Sequence, residues 1–142
     1  MRLGKSFNEL SIGMSRKREF ANAGYNQNLV SIGVVSALPV GVAVSTNVAF
    51  GSQVSGALVM RNGVGIGVSA SIAGRPISVS LSRQESRGSL YLGQPRKDRI
   101  LTVQVARALP ARWSAEVSYS RTQSSANVFD DSSVGFSISR RF

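Results

Sequence analysis

Apolar residues in this chain recur at every second position, segment after segment, and that period leaves little choice of fold. Leu10, Ile12 and Met14 alternate with Ser11, Gly13 and Ser15; Val30, Ile32 and Val34 follow, then Val42, Val44, Thr46, Val48 and Phe50. Val64, Ile66, Val68, Ala70 and Ile72 make the longest clean series. Ile77, Val79 and Leu81 come next, then Leu101, Val103 and Val105, then Trp113, Ala115, Val117 and Tyr119, and finally Val134, Phe136 and Ile138. Side chains two apart share one face of a strand, whereas a helix needs them three or four apart. Eight such segments of roughly 8–12 residues predict eight strands and an all-β fold. The length suits a single domain over residues 1–142.

The connections sort by length. KREFANAGYNQ is long, Pro39-Val40-Gly41 short; the crossing from Phe50 to Gly63 is long, Ala73-Gly74-Arg75-Pro76 tight. SRQESRGSLYLGQPRKDR then reads as a long loop, Pro110-Ala111-Arg112 as a tight one, and RTQSSANVFDDSS as long again. Pro and Gly at the tight points set the fixed or positive φ that a reversal needs. A sandwich has no reason to sort its loops by end, but an up-and-down membrane barrel does, with short turns on one side and long loops on the other. An internal echo fits a four-strand unit used twice: LSIGMSR, ending at Arg16, resembles ISVSLSR, ending at Arg83, and SALP, ending at Pro39, resembles RALP, ending at Pro110.

The second face of these strands is small. Gly65, Gly67, Ser69 and Ser71 fill it in one segment, and Ser78, Ser80 and Ser82 in another. A soluble sandwich would carry Lys, Glu, Thr and Gln there. Charge gathers instead at strand ends, as in Arg16-Lys17-Arg18 and Arg96-Lys97-Asp98-Arg99, with Glu116 the clearest mid-strand exception. A lipid-facing outside and a lumenal inside account for both faces, so the predicted architecture is an antiparallel up-and-down transmembrane β-barrel with about eight strands visible. Eight strands enclose a space that side chains must fill, and Ser and Gly underfill it. A sector of a wider barrel, completed by upstream strands or by further copies, is therefore expected.

Composition removes several functions. Cysteine and histidine are both absent, which excludes disulfides, thiolate metal sites, imidazole ligands and any Ser–His–Asp arrangement. No enzyme activity, cofactor or metal is expected. No run approaches the ~20 apolar residues of a spanning helix. The opening MRLGKSFNELSIG lacks the apolar centre of a secretory leader. A net charge of +10, from 14 Arg and 3 Lys against 7 acids, points to phosphate-bearing partners.

The closing segment SVGFSISRRF resembles the carboxy-terminal signal of bacterial outer-membrane β-barrel proteins, an alternating last strand finishing on Phe. The resemblance implies placement in the outer membrane and recognition of Val134, Phe136, Ile138 and Phe142 by the barrel-assembly machinery. Strand addition is the physical mode, with backbone hydrogen bonds giving affinity and alternate side chains giving register. Arg140 departs from the family pattern, which has an aromatic or apolar residue there; an interfacial Arg can still snorkel to the head groups. With Phe142 on the periplasmic side, every tight turn falls on that side and every long loop outside.

The leading functional expectation is a pore or translocation conduit of the outer membrane, whether porin-like, polysaccharide-exporting or usher-like. Arg83, Arg87, Arg96, Lys97 and Arg99 surround one long loop as candidates for contact with lipopolysaccharide phosphates, beside a reading as simple solubilising charge. Glu116, on the inner face, is expected to pair with Arg107 or Arg112 in the lumen. GVGIGVSAS reads as a strand, because no helix pattern follows to make it a phosphate loop. Asp130-Asp131 reads as a solvated loop more readily than as a cation site. The alternatives are a soluble basic β-sandwich or open barrel binding nucleic acid, which the scarcity of aromatics in the second face disfavours, and a surface adhesin or structural β domain.

Overall fold

The structure, a computed structural model, describes residues 2–3, 6–19 and 25–140. They form a single antiparallel sheet in strict chain order: β1 (Arg2–Leu3), β2 (Ser6–Glu19), β3 (Tyr25–Ala37), β4 (Val42–Gly51), β5 (Val59–Ile72), β6 (Arg75–Tyr91), β7 (Gln94–Ala108), β8 (Trp113–Ser124) and β9 (Asp131–Arg140). The first is a two-residue stub, so eight long strands carry the sheet. All-β and up-and-down, as the alternation predicts, it is nevertheless not closed: β1 and β9 are unpaired edges among the described residues.

Register turns the alternating patterns of single strands into two faces. One row runs Leu10, Val34, Thr46, Ile66, Leu81, Val103, Tyr119, Val134 from β2 to β9. The next runs Val44, Val68, Val79, Val105, Val117, Phe136. On the reverse face a row reads Ser11, Gly33, Asn47, Gly65, Ser82, Thr102, Ser120, Ser133. A one-residue slip anywhere would exchange the two chemistries, so the apolar period itself holds the register.

Among the described residues nothing covers the apolar band or the small-residue rows behind it. Val59 is the one buried apolar side chain among the described residues, while Met14 is 83% exposed and Val134 75%. The accessible surface is 10116 Å², against about 7,100 Å² for a compact monomer of this mass. The sheet therefore holds together through its ladder and has no core of its own.

Both two-residue hairpin turns are of the mirror-image kind that matches strand twist. Ala73 and Gly74 have φ of 52° and 72°, and Leu92 and Gly93 have 50° and 78°. The second turn corrects an expectation. SRQESRGSLYLGQPRKDR is not an irregular loop but the upper half of β6 and β7, paired through Glu85 with Arg99 and Arg87 with Lys97 up to the turn. The strands run on past Leu81 and Leu101 because the Glu85 carboxylate, opposite Arg99, also meets Arg87 and Lys97 and so offsets the facing cations, replacing the apolar pairs there. The echo is in phase: Leu10–Arg16 lies in β2 and Ile77–Arg83 in β6, four strands apart, with apolar residues on one face in both.

Candidate functional site

The basic residues fall into two groups by parity. Arg83, Arg87, Lys97 and Arg99 share the apolar face, beyond its band at the Leu92-Gly93 end; Arg83 stands opposite Val64 and Leu101, and Arg99 opposite Glu85. Arg121, in register with Leu101, joins them. Arg83, Arg99 and Arg121 line a hollow of about 330 Å³ around Leu101. Parity with Val117 and Tyr119 is the signal that places Arg121 on this face.

Arg96 does not belong to that group. It lies on the small-residue face, opposite Gly88, where its Nε donates to Asp98 Oδ1 at 2.9 Å. Its guanidinium sits 3.5 Å from the centre of the Phe129 ring, and Phe129 meets Tyr91 edge-on at 5.0 Å. Asp98 also accepts from the Ser124 hydroxyl at 2.6 Å. These contacts tie the β6–β7 hairpin to the β8–β9 connection. Asp130 closes that connection by accepting the Ser124 N–H at 2.6 Å.

Glu85 is the counter-charge of the outer group. Its carboxylate meets Arg87 Nε at 2.5 Å, Lys97 Nζ at 3.2 Å and Arg99 Nε at 3.7 Å. The Arg87 hydrogen bond, against the opposing effect of burial, holds the Glu85 pKa below its ordinary value, with Lys97 assisting. At Asp98 burial pushes the carboxyl up, but the Arg96 and Ser124 hydrogen bonds together outweigh it and the net shift is downward. Both groups lie beyond the apolar band. A depressed carboxylate pKa adds stability above the unfolded value and loses it as pH falls through the folded one. The hairpin tip is therefore expected to loosen below about pH 4, while the mid-sheet ladder stays protected. Amide exchange at Arg87–Lys97 against Val79–Leu81, compared at pH 7 and pH 3, reads this directly; parallel behaviour of the two segments would count against it.

Glu116 lies on the small face, between Ala106 and Ser137. The expected pairing with Arg107 fails because Arg107 pairs with Ala115 and so belongs to the other face; among the described residues Glu116 makes no ion pair with it or with Arg112. GVGIGVSAS lies within β5 as expected, with Gly63, Gly65 and Gly67 on the small face. Hydroxyls lean into the space that cross-strand glycines leave, Ser45 over Gly67 and Ser118 over Gly135.

Val134, Phe136 and Ile138 stand on the apolar face of the edge strand β9, all exposed; Phe142 lies outside the described residues. At the opposite end of the band, the Arg140 guanidinium sits 5.6 Å from the centre of the Trp113 ring.

The residues missed by reading along the sequence are those of a bulge. Register shifts between Met60 and Asn62 and leaves Arg61 without a cross-strand partner position. Arg61 lines a cavity of about 410 Å³ with Arg87, Arg96 and Lys97. Gln27 anchors the connection beside it, its Nε2 donating to the Ser52 carbonyl at 3.1 Å and to the Met60 carbonyl at 2.5 Å.

No helix is long and apolar enough to cross a membrane among the described residues, a result silent on strands. No protein-family model, no curated protein and no solved structure matches the chain.

Proposed function

We propose that this chain forms a sector of a bacterial outer-membrane β-barrel whose apolar face meets hydrocarbon and whose Ser/Gly face lines an aqueous conduit. The observation that carries it is the sorting of two chemistries onto two faces, uncovered among the described residues, across all eight long strands, with charge beyond the ends of the apolar band apart from Glu116. A packed protein interior would require a second layer over the valines and isoleucines; lipid requires none. The small face lets water and a polar cargo pass close to the backbone, which favours a conduit over a mere anchor.

The slant of the apolar band supports the same reading. The row that starts at Ile12, the middle of the apolar set in β2, arrives at Ser132 in β9. The apolar set of β9 is centred four residues further on, at Phe136. That is about 14 Å along the strand over about 34 Å across the sheet, a slant of about 20°. Strands tilted through a bilayer produce such a slant, because the membrane plane cuts their hydrogen-bonded rows obliquely; closed barrels have tilts of about 35–45°.

In this arrangement Arg83, Arg99 and Arg121 stand where the band ends, level with outer-leaflet head groups, and lipopolysaccharide phosphates are their partners. Trp113 with Arg140 marks the other interface. The alternating edge Val134, Phe136, Ile138 is the strand offered, with Phe142, to the barrel-assembly machinery, and further strands or copies complete the ring at β9 and β1.

The absence of native cysteine makes the test clean. In protein assembled into outer-membrane vesicles, Ser78→Cys and Ser80→Cys are expected to react with a hydrophilic maleimide at least about tenfold faster than Val79→Cys and Leu81→Cys. The second pair is expected to take a bilayer-confined thiol label instead. Equal labelling along β6, or a protein that urea strips from the membrane, overturns the proposal.

A further inference from the structure

We infer that the cavity between the 52–58 connection and the β6–β7 hairpin is a binding site for a phosphate monoester, with Arg61 as its principal ligand. Gln53 and the four basic residues Arg61, Arg87, Arg96 and Lys97 contribute to the lining of this space of about 410 Å³. Three of them have carboxylate partners: Arg96 has Asp98, and Arg87 and Lys97 share Glu85. Arg61 makes no such pair among the described residues, and its Nη1 is buried with no hydrogen-bond partner. A buried guanidinium N–H left unsatisfied is costly, and such groups in a folded protein call for a bound ion, water or ligand.

The chemistry selects the ligand class. Guanidinium presents parallel N–H donors that match two oxygens of one phosphate, and further cations beside it suit a second negative charge. A phosphate monoester carries about −1.5 to −2 near pH 7 and three acceptor oxygens, enough to engage Arg61 while sharing Arg87, Arg96 or Lys97 with their carboxylates. The cavity also accommodates part of the group that bears the phosphate. It lies beyond the apolar band, so a phosphorylated sugar in solution and a phosphorylated glycolipid headgroup present the same chemistry to it. The site does not depend on which medium covers the valines.

Full-length protein folded in detergent micelles is titrated with glucose 1-phosphate and, separately, with inorganic phosphate, followed by phosphorus NMR. Saturable binding of glucose 1-phosphate is expected, weakened about tenfold or more by Arg61→Gln and by no more than about twofold by Arg121→Gln, which lies at the other hollow. Circular dichroism monitors the fold; if Arg61→Gln loses its β signal, Arg61→Lys retains the charge, loses the fork, and is expected to bind about threefold more weakly. Phosphatidylethanolamine vesicles with and without lipid A then identify the source. Displacement of glucose 1-phosphate only by the lipid A vesicles assigns a headgroup, and its persistence assigns a soluble phosphorylated glycan. No saturable binding, or binding untouched by loss of the Arg61 fork, overturns the inference.

Discussion

Val79→Arg is expected to cost about 2–4 kcal/mol of folding free energy in a bilayer, and Ser80→Arg, one residue away, about 1 kcal/mol or less. Val79 is the middle of the β6 apolar set, between Val68 and Val105, and is 47% exposed. Ser80 stands between Gly67 and Gln104 on the small face. If hydrocarbon covers Val79, an arginine there must drag water and head groups toward the mid-plane. If water covers it, the same arginine lies along a half-exposed surface and moves stability by about 0.5 kcal/mol. Urea titration of folding in phosphatidylcholine vesicles, read by fluorescence of Trp113, the single tryptophan, separates these outcomes. A small cost at both positions would mean that lipid is not the solvent of the apolar face.

Strand existence and facing were legible wherever the apolar period runs unbroken. Alternation alone places Val64, Ile66 and Val68 on one side and Gly65 and Gly67 on the other, and the ladder agrees. The upper half of the β6–β7 hairpin was not legible by that signal. There Glu85 faces Arg99 and also meets Arg87 and Lys97, so the apolar period stops at Leu81 and Leu101 while the strands continue for about ten residues on one side and seven on the other. A charged stretch between strands reads as a loop unless cross-strand partners are matched in register.

Parity carried more about the site than residue type did. Counting from Val105 puts Arg107 on the apolar face and Lys97 with it, and puts Arg96 on the other face with Ile100 and Thr102. Nearness in the chain groups Arg96 with Arg83 and Glu116 with Arg107, and strand parity separates both pairs. Arg61 lay beyond any such count. The bulge between Met60 and Asn62 breaks the period, and apart from Gln53 what surrounds Arg61 is contributed by a hairpin more than twenty residues away. Closure was equally out of reach of local pattern: the number of strands in a ring is set by curvature and by which edges meet, and alternation looks the same in a sector and in a complete barrel.

Gly88→Ala is expected to destabilise the hairpin end by about 2–3 kcal/mol, strain and collision together. Gly88 has φ of 121°, a conformation that L residues rarely adopt, and an added Cβ would run into the Ala57 carbonyl oxygen of the connection folded against it. Neither the carbonyl nor the β6 backbone can yield cheaply, because Gln27 pins the connection at Ser52 and Met60. Gly74→Ala separates the two effects. Its φ is 72°, but nothing lies within 4 Å of the added Cβ, so strain alone operates and about 1 kcal/mol is expected. Displacing the connection at Gly88 also opens the cavity beside Arg61 without altering any of its cations. Glucose 1-phosphate binding should therefore fall in Gly88→Ala and persist in Gly74→Ala, and protease cutting between Ser52 and Ser55 should accelerate only in the former. Equal behaviour of the two variants would mean that the close approach of Ala57 to Gly88 does not shape the cavity.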